Sequence, residues 1–568
     1  MKHNGTVSIT FRTIILLIKI SPIYFSINIL LSLVVNLTPT GLLIINKMLL
    51  DSFVQLFCDF SVFKIVAMWL CFSLLGDFGY SLMIELLSYF QAIYSDYINK
   101  CTTEKIIDKI EELQLEEFDD PNLYNVLQKS FYESTPRCMS MLNAVTEMFG
   151  KLMNLFFAIS LLRFTNINLI VVYLISVIPT VLLNIKIFKK WFSLFEERCE
   201  KLRFVEVLKT ILIKNENLQE IKTYNVTKFL KEKINNIYST NARENKNVRE
   251  NFMWKTSLTK LLEQCIAYYV KLKIILFSIS TKSTVGTLNM YISFVDTIKN
   301  AIFSVLTQLS SFTEDSLYMR SLFEILDMKN VNKAKKISFH GDFKTIELQN
   351  VNFKYKTSSE YIIKNFNFTI KQGKIYAISG LNGAGKTTLI KLLLGFYKPN
   401  KGQVLINGVD INKYSSESIL KNIACVFQPF IKYPLTVKEN IKTGICYTDD
   451  NLLESIKEAA KMAGASDFIE HLPNQYDTML QKEWSNGVEI SLGQWQKLAL
   501  VRAFFKKASI YILDEATASL DAVAEKSVLD TLKDMKATVI IISHKAEVLN
   551  IADEIVTICN GEIKFTKT

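Results

Sequence analysis

The sequence predicts an α-helical membrane domain in the first half of the chain and an α/β domain in the second. The chain has 568 residues, which is too long for one ordinary domain and indicates at least two. Its mean hydropathy is +0.19 and 49% of its residues are hydrophobic, which argues against a purely soluble protein and against disorder. After Phe343 the long apolar stretches give way to short strand-like runs that alternate with helical ones.

Long apolar stretches in the first 312 residues predict membrane-spanning helices. The uncharged stretches Ile20–Asn46 and Phe164–Ile185 are long enough for a spanning helix, which needs about 20 residues. Four further stretches are apolar but contain charges: Phe60–Tyr89, Asn143–Leu162, Thr256–Ile279 and Val285–Leu309. Together they predict six spans in three hairpins, although four spans also fit the pattern.

The distribution of basic residues predicts the orientation of these spans. Lys and Arg are dense in Lys186–Lys255 and frequent in Lys100–Arg137, whereas the only one between Thr38 and Asp59 is Lys47. Because cytoplasmic loops carry the excess of Lys and Arg, both basic segments are predicted to be cytoplasmic extensions of the helices. Both termini then lie on the cytoplasmic side of the cell membrane, and the lipid bilayer is a partner. Because membrane proteins accumulate Lys and Arg in cytoplasmic loops, the net charge of +11 does not require a nucleic-acid partner, and none is expected.

Charged residues inside the predicted spans have two interpretations. Asp77 and Glu85 share a helix face, and Asp296 and Lys299 are spaced so that they can pair. In the first interpretation these residues line a water-filled substrate cavity. In the second they lie near helix ends or on cytoplasmic extensions, and both interpretations stay open.

A polar, charged segment predicts the boundary between the two domains. The apolar pattern fades after Leu309, and Asp327–Lys336 has the sequence DMKNVNKAKK, which is typical of a linker. The prediction is a membrane domain over residues 1–312, a linker over 313–342 and an α/β domain over 343–568.

A glycine-rich motif in the second half predicts a phosphate-binding loop. The strand-like run Ile375–Ser379 is followed by GLNGAGKT, which fits the pattern G-x-x-x-x-G-K-[ST] between a strand and a helix. Backbone N–H groups of such a loop surround phosphate oxygens, while Lys386 reaches the β- and γ-phosphates and the Thr387 hydroxyl binds Mg²⁺. The candidate ATP-binding residues here are Gly380, Leu381, Asn382, Gly383, Ala384, Gly385, Lys386, Thr387 and Thr388.

Two further strand-like runs end in residues suited to ATP hydrolysis. The run IYILDE brings Asp514 to a strand end, where it can hold Mg²⁺ through water, and places Glu515 to activate the attacking water. The run TVIIISH ends in His544, one of four histidines in the chain. Because it leaves a strand at the same edge as the other two motifs, His544 is expected to contact the γ-phosphate.

Together the three motifs resemble those of ATP-binding cassette (ABC) ATPases, and further family motifs are present. Tyr355 lies in VNFKY, Gln428 in VFQPF, the signature motif is ISLGQ at Ile490–Gln494, and the D-loop is Ser519–Asp521. The resemblance implies that Tyr355 stacks on adenine and that Gln428 senses the γ-phosphate and contributes to the Mg²⁺ site with Thr387 and Asp514. It adds these candidate ATP-binding residues: Tyr355, Gln428, Ser491, Gly493, Gln494 and Asp521.

The resemblance extends over essentially the whole chain, because the first half is similar to the six-helix membrane domain of ABC exporters. Asp119–Val126 and Gln219–Tyr224 lie where such exporters place the coupling helices of their inner loops. Within the family, Phe430–Asn440, Gly493–Lys497 and Phe504–Leu513 resemble the lantibiotic exporters, the nisin-type peptide transporters.

One feature departs from the family pattern. The signature motif is usually LSGGQ, whereas Ile490 and Leu492 replace its first and third residues here. Ser491 and Gly493 remain, so phosphate contact is expected to persist. The bulky side chain of Leu492 affects how closely two subunits can approach each other, and therefore the turnover rate.

The resemblance implies a dimer. Each ATP in this family lies between the phosphate loop of one subunit and the signature motif of the other, so the partner is a second copy or a related half-transporter. The predicted function is ATP-driven export of a ribosomally made, modified peptide, with ATP and Mg²⁺ as cofactors and with peptide-modifying enzymes as further candidate partners.

Three alternatives to this function are open. One is a lipid or multidrug exporter of the same fold. Another is a membrane sensor that uses ATP only as a switch, which Leu492 keeps open and which Glu515 and His544 weigh against. The third, a soluble ABC ATPase that acts on DNA or ribosomes, is opposed by the apolar first half.

Overall fold

The computed structural model describes residues 6–57, 59–162, 167–328, 337–356, 358–443, 451–518, 520, 522–559 and 561–566. Its contacts divide the chain into two compact units. The helical unit comprises Met1–Glu111 and Tyr124–Met328. The second unit, called the ATPase unit after the motifs that resemble those of ABC ATPases, comprises Glu112–Leu123 and Lys329–Thr568. Residues 329–336 of the predicted linker lie outside the described residues, so the boundaries predicted at 312 and 343 stay predictions.

Long helices make up the described part of the chain before residue 328. They are α1 (Thr6–Ile20), α2 (Pro22–Leu56), α3 (Phe63–Glu112), α4 (Pro121–Leu162), α5 (Ile167–Ile213), α6 (Asn215–Thr223), α7 (Thr227–Ser280) and α8 (Val285–Asp327). At a rise of 1.5 Å per residue, the 54 residues of α7 extend for about 80 Å, far beyond the ~30 Å apolar core of a bilayer. The helices therefore have the long extensions that the basic segments predicted.

Two segments among the described residues are long and apolar enough to cross a membrane by length and composition. They are Pro22–Leu56 and Phe60–Glu112. Pro22–Leu56 contains most of the first uncharged stretch predicted from the sequence, whereas the second, Phe164–Ile185, begins at residues outside the described ones. The four charged stretches lie in long helices, α3, α4, α7 and α8, except that Phe60–Val62 forms a short 3₁₀ helix before α3.

Local signals in the sequence explain where two of these helices begin. The Ser21 hydroxyl accepts a hydrogen bond from the Tyr24 N–H at the start of α2, and Pro22 takes the first helical position, where its missing N–H costs nothing. The Thr284 hydroxyl caps α8 by accepting from the Thr287 N–H.

The core of the helical unit joins four helices. Apolar side chains from α4, α5, α7 and α8 form one buried cluster, in which Val270, Phe294 and Ile298 are each at most 2% exposed. Asp296 of α8 is not part of this cluster and pairs with Lys271 of α7, with 2.8 Å between the Lys271 Nζ and each carboxylate oxygen. The pairing with Lys299 that the spacing suggested is therefore replaced by one between helices.

The ATPase unit contains two sheets and eight helices in its described residues. The strands are β1 (Thr345–Phe353), β2 (Ile363–Lys371), β3 (Ile375–Gly380), β4 (Lys401–Ile406), β5 (Val409–Asp410), β6 (Ile423–Val426), β7 (Ile510–Asp514), β8 (Thr538–Ile542), β9 (Glu554–Cys559) and β10 (Glu562–Thr566). The helices are α9 (Lys386–Leu393), α10 (Ser416–Leu420), α11 (Val437–Lys442), α12 (Leu452–Met462), α13 (Ser466–Glu470), α14 (Leu492–Phe505), α15 (Ala522–Asp534) and α16 (Ala546–Ile551).

The six-stranded sheet positions the functional motifs. Its order is β10-β9-β3-β8-β7-β6, and all pairs except β10–β9 are parallel, while the other sheet is antiparallel with the order β2-β1-β4-β5. In the parallel register, Ile378 of β3 and Asp514 of β7 both lie opposite Ile542 of β8. The carboxyl ends of these three strands are therefore level, and the three motifs that follow them meet at one edge.

Alternating side chains of this sheet enter two different cores. Ala377, Leu513 and Ile541 belong to the core shared with α12 and α14, whereas Ile378 and Ile540 belong to the core shared with α9 and the antiparallel sheet. Because both faces are covered, the strands are apolar throughout, as predicted from the sequence.

Candidate ATP-binding site

The phosphate loop, Gly380–Thr387, depends on glycine at two positions. Gly380 has φ +149°, and a Cβ there would lie 2.5 Å from the Ile558 carbonyl oxygen. Gly385 has φ +101° and caps α9, where a Cβ would lie 2.9 Å from a side-chain carbon of Ile363. Because L-residues rarely adopt such φ values, glycine lets the loop turn tightly into the amino end of α9, which favours an anion.

Lys386 lies inside this loop and is 7% exposed. Its Nζ donates to the carbonyl oxygens of Gly380 at 2.6 Å and Leu381 at 3.2 Å, and it lies 3.2 Å from Nε2 of His544. Because an ammonium group can only donate, Nε2 of His544 accepts in this contact. The predicted phosphate-binding lysine and the predicted γ-phosphate histidine are thus direct neighbours.

The Thr387 hydroxyl and the Asp514 carboxylate lie together beside the loop. Thr387 Oγ1 donates to Asp514 Oδ2 at 3.1 Å, and Asp514 is 2% exposed. Burial raises the pKa of Asp514, while the Thr387 hydroxyl and the Lys386 charge oppose that shift. Adjacent ligands of an octahedral Mg²⁺ ion, bound at about 2.1 Å, are about 3 Å apart, so these two hard oxygens suit this ion.

Glu515 has an unusual backbone conformation for its residue type. Its φ is +50°, its N–H donates to the Ile542 carbonyl at 3.1 Å, and its own carbonyl accepts from Gln496 Nε2 at 3.1 Å. A left-handed conformation is strained for a residue other than glycine, and such strain persists only where surrounding contacts hold it. These two hydrogen bonds hold it here, and they direct Glu515 out of the end of β7.

Gln428 lies beside Glu515. Gln428 Nε2 donates to Glu515 Oε2 at 2.7 Å. Both residues line a cavity of about 390 Å³ together with Asn382, Lys386 and Asp514. The cavity thus places two carboxylates, an ammonium group and backbone N–H donors around one space that is open to solvent.

Tyr355 lies at the side of the loop. Its hydroxyl is 3.1 Å from Thr388 Oγ1, and its ring packs edge-on against Phe353 and Tyr397, with centroids 5.1 and 5.4 Å away. Its neighbours therefore fix the position of this ring beside α9. Ile362 also lines the cavity, and no sequence signal had singled it out.

The signature motif forms a regular helix start despite Leu492. The Ser491 hydroxyl accepts from the Gln494 N–H at 3.2 Å, and the Gln494 side chain accepts from the Ser491 N–H at 2.8 Å. Leu492 is the first residue of α14 and is 55% exposed, so its side chain does not disturb this cap. In the described part of the chain, Ser491, Gly493 and Gln494 do not line the cavity, and Ser519 and Asp521 lie outside the described residues.

Gln496 is a residue beside the site that the sequence motifs did not single out. It lies in α14, is 4% exposed and donates a hydrogen bond to the Glu515 carbonyl. A glutamine in the mostly apolar run WQKLAL could have been noticed, because buried polar side chains require a partner. The sequence could not show that the partner is the backbone of Glu515.

Comparison with known proteins identifies the class to which this site belongs. Residues 363–518 match the family model described as ABC transporter. A bacterial Atm1-family ABC exporter with ATP bound has the same fold, with a TM-score of 0.78 and 19% identity over 94% of each chain. The second half therefore contains an ABC transporter ATPase domain, and the chain as a whole has the fold of that exporter.

More particularly, the chain resembles proteins that transport lantibiotics. It is 29% identical to the subtilin transport ATP-binding protein SpaT of Bacillus subtilis over 94% of this chain and 86% of SpaT. It is 26% identical to the nisin transport ATP-binding protein NisT of Lactococcus lactis subsp. lactis over 84% of this chain and 81% of NisT. The resemblance to lantibiotic exporters predicted from the sequence is confirmed.

Proposed function

We propose that this protein exports a ribosomally made, modified peptide of the lantibiotic type across the cytoplasmic membrane, powered by ATP hydrolysis in a dimer. The similarity to SpaT carries this proposal because it extends over 94% of the chain and so includes the helical unit as well as the ATPase. The protein is then a multi-pass membrane protein with both termini in the cytoplasm.

The geometry supports a division of roles among the residues of the cavity. Lys386 exchanges its carbonyl partners for β- and γ-phosphate oxygens, which are stronger acceptors because they are charged. Glu515 takes the proton of the attacking water, and the Gln428 amide holds the Glu515 carboxylate by a hydrogen bond. His544 lies next to Lys386 and hydrogen-bonds to the γ-phosphate. Thr387 and Asp514 would hold Mg²⁺, which neutralises phosphate charge when bound.

The position of the signature motif supports a dimer. Ser491, Gly493 and Gln494 are capped and accessible, yet they do not line the cavity of their own chain in its described part. A second copy, or a related half-transporter, supplies its signature residues to the ATP bound at this phosphate loop. Asp521 contacts the same nucleotide from the D-loop.

One contact supports a connection between nucleotide and inner loop. Glu112–Leu123 belongs to the ATPase unit, where the Tyr397 hydroxyl lies 3.0 and 2.9 Å from the two carboxylate oxygens of Asp119. Burial and the Asp119 carboxylate raise the pKa of Tyr397, so its hydroxyl stays protonated and donates. The Tyr397 ring packs on Tyr355, the residue proposed to stack on adenine. Tyr397 therefore connects Tyr355 to Asp119 of the inner loop.

Tyr397→Phe is expected to weaken the stimulation of ATP hydrolysis by cargo by several-fold. The change removes one hydrogen bond to a charged group, worth about 1–3 kcal/mol, and keeps the ring that supports Tyr355. The measurement is ATPase activity in nanodiscs with and without peptide. Tyr414→Phe is the matched control, because Tyr414 is a half-buried tyrosine of the same unit that is not near Asp119 in the described contacts. Wild-type stimulation in Tyr397→Phe contradicts the connection.

Tyr355→Ala is expected to raise the KM for ATP by about tenfold, because stacking on one base contributes ~1–3 kcal/mol. Tyr355→Phe separates the two interactions of this residue, since it keeps the ring and loses the hydroxyl contact with Thr388. We expect its KM to stay within about twofold of the wild-type value. Equal KM values for the alanine variant and the wild type would remove Tyr355 from the nucleotide site.

Transport into inside-out vesicles tests the proposed function directly. Vesicles that contain the protein are mixed with ATP and the radiolabelled, modified precursor of subtilin, and peptide protected inside the vesicles is counted. Accumulation that requires ATP supports the proposal. Accumulation of a fluorescent lipid or a dye, with none of the peptide, supports the lipid or drug exporter instead.

A further inference from the structure

A polar cavity lies within the helical unit, between α2, α4 and α8. It has a volume of about 300 Å³, and Asn36, Thr40, Lys151, Asn154, Asp296 and Asn300 are among its lining residues. All of these residues fall in stretches that the sequence predicts to span the membrane. Polar side chains are costly at that depth unless they meet one another, water or a ligand.

The cavity is part of two polar stripes at helical spacing. Residues three or four apart share one face of a helix. On α4 the stripe consists of Asn143, Glu147, Lys151 and Asn154, and on α8 it consists of Ser293, Thr297, Asn300, Ser304 and Gln308. Two such faces in otherwise apolar helices indicate a continuous polar path along both helices and not one isolated polar residue.

Several polar side chains in and next to the cavity walls hydrogen-bond to one another. Glu147 accepts from Ser304 Oγ at 2.8 Å and from Gln308 Nε2 at 2.5 Å. Asn154, which is 4% exposed, accepts from Thr40 Oγ1 at 2.8 Å and donates to the Asn36 carbonyl at 2.9 Å. These bonds fix α4 against α2 and α8, so the cavity is preformed.

Lys151 differs from these groups. The Asp296 carboxylate on the α8 side of the cavity is already neutralised by Lys271 of α7, at 2.8 Å. Glu147, one turn before Lys151 on α4, is held by Ser304 and Gln308. Within the described residues, the half-buried ammonium group of Lys151 has neither an ion pair nor a hydrogen bond. The cavity therefore contains an ammonium group that no carboxylate contacts within the described residues, in a region where an unpaired charge is expensive.

We propose that this cavity binds a carboxylate group of the exported peptide through the Lys151 ammonium group. The inference rests on the proposed function and specifies the part of the cargo that the helical unit recognises. Carboxylate is the anionic group that a peptide carries, either at its carboxyl end or on Asp and Glu side chains. The Asn300 amide and the Thr297 hydroxyl, which also line the cavity, supply donors and acceptors for the adjoining peptide bonds.

The test is a titration of peptide-stimulated ATP hydrolysis in nanodiscs with the modified subtilin precursor as the probe. For Lys151→Met, the peptide concentration that gives half-maximal stimulation is expected to rise by about tenfold, because a charged hydrogen bond is lost. Lys151→Arg keeps the charge and is expected to stay within about threefold of the wild type. The matched control is Lys47→Met, since Lys47 is a half-buried lysine of α2 that does not line the cavity.

Variants of the peptide distinguish the source of the carboxylate. One variant ends in a carboxamide, and another carries Asn and Gln in place of Asp and Glu. The peptide variant that lacks the bound carboxylate is expected to need an about tenfold higher concentration for half-maximal stimulation of the wild-type protein. With Lys151→Met, this variant and the parent peptide should need the same concentration. Losses that multiply between peptide and protein variants would show that the two groups do not meet.

Two other outcomes separate this inference from the proposed function. If all peptide forms stimulate the wild type and Lys151→Met equally, the inference is wrong and the peptide exporter stands. If no form of the peptide stimulates the wild type, while ATP is hydrolysed, the proposed cargo is wrong and the inference falls with it. Wild-type ATP binding by Lys151→Met shows that the variant is folded in either case.

Discussion

Glu515→Gln is expected to lower the rate of ATP hydrolysis by at least about 100-fold, because a general base contributes roughly 10²–10⁴ to such a reaction. The amide has the shape of the carboxylate but cannot take a proton from water. The substitution removes a negative charge and no contact that holds the phosphates, so ATP is expected to bind at least as well. The variant therefore accumulates in the ATP-bound state.

The measurement is a single-turnover assay, in which hydrolysed and bound nucleotide are counted separately. Glu547→Gln is the matched control, because Glu547 is an exposed glutamate of the same unit, at the start of α16. Its turnover should equal that of the wild type. A Glu515→Gln variant that keeps more than a tenth of wild-type turnover, by this assay, would require another base.

Lys386→Met is expected to weaken ATP binding by roughly 100-fold, which corresponds to about 3 kcal/mol and to two hydrogen bonds between charged groups. The Lys386 ammonium group is buried in the loop and already points at the carbonyls that surround the phosphate space, 2.6 Å from the nearest. Methionine fills a similar volume and removes the charge. Hydrolysis should be lost with binding, since the β- and γ-phosphates are no longer held.

Thermal unfolding with and without Mg-ATP measures this effect, because a ligand that binds only the folded state raises its stability by mass action. The wild type and Lys398→Met, whose lysine is exposed and outside the cavity, should show the same rise in Tm. Lys386→Met should show none at the same ATP concentration. An equal rise in all three proteins would mean that the nucleotide does not use this lysine.

Much of the site could be predicted because its residues follow directly from strand ends. Gly380, Asp514 and His544 come at or just after the ends of three buried strands, and parallel strands that share a register must bring such residues to one edge. In the structure the three strands share a register, and Lys386, Thr387, Asp514, Glu515 and His544 lie close together. The chemical roles of these residues stay predictions until the variants above are measured.

Other features depend on contacts between distant segments and left no local pattern. The left-handed backbone of Glu515 follows from hydrogen bonds with Ile542 and Gln496, which belong to another strand and to α14. Asp296 pairs with Lys271 because α7 and α8 are neighbours, whereas the sequence shows only that Lys299 is three residues away. Pairing between helices needs the packing, which spacing along one helix cannot supply.

The most direct test of the central claim is ATP turnover by the wild type in nanodiscs, with and without the modified subtilin precursor, beside Glu515→Gln. The account predicts that the peptide raises turnover several-fold in a saturable manner and that Glu515→Gln is inactive in both conditions. Turnover that depends on Glu515 but ignores the peptide at every concentration would contradict peptide export. Turnover that survives in Glu515→Gln would contradict the site itself.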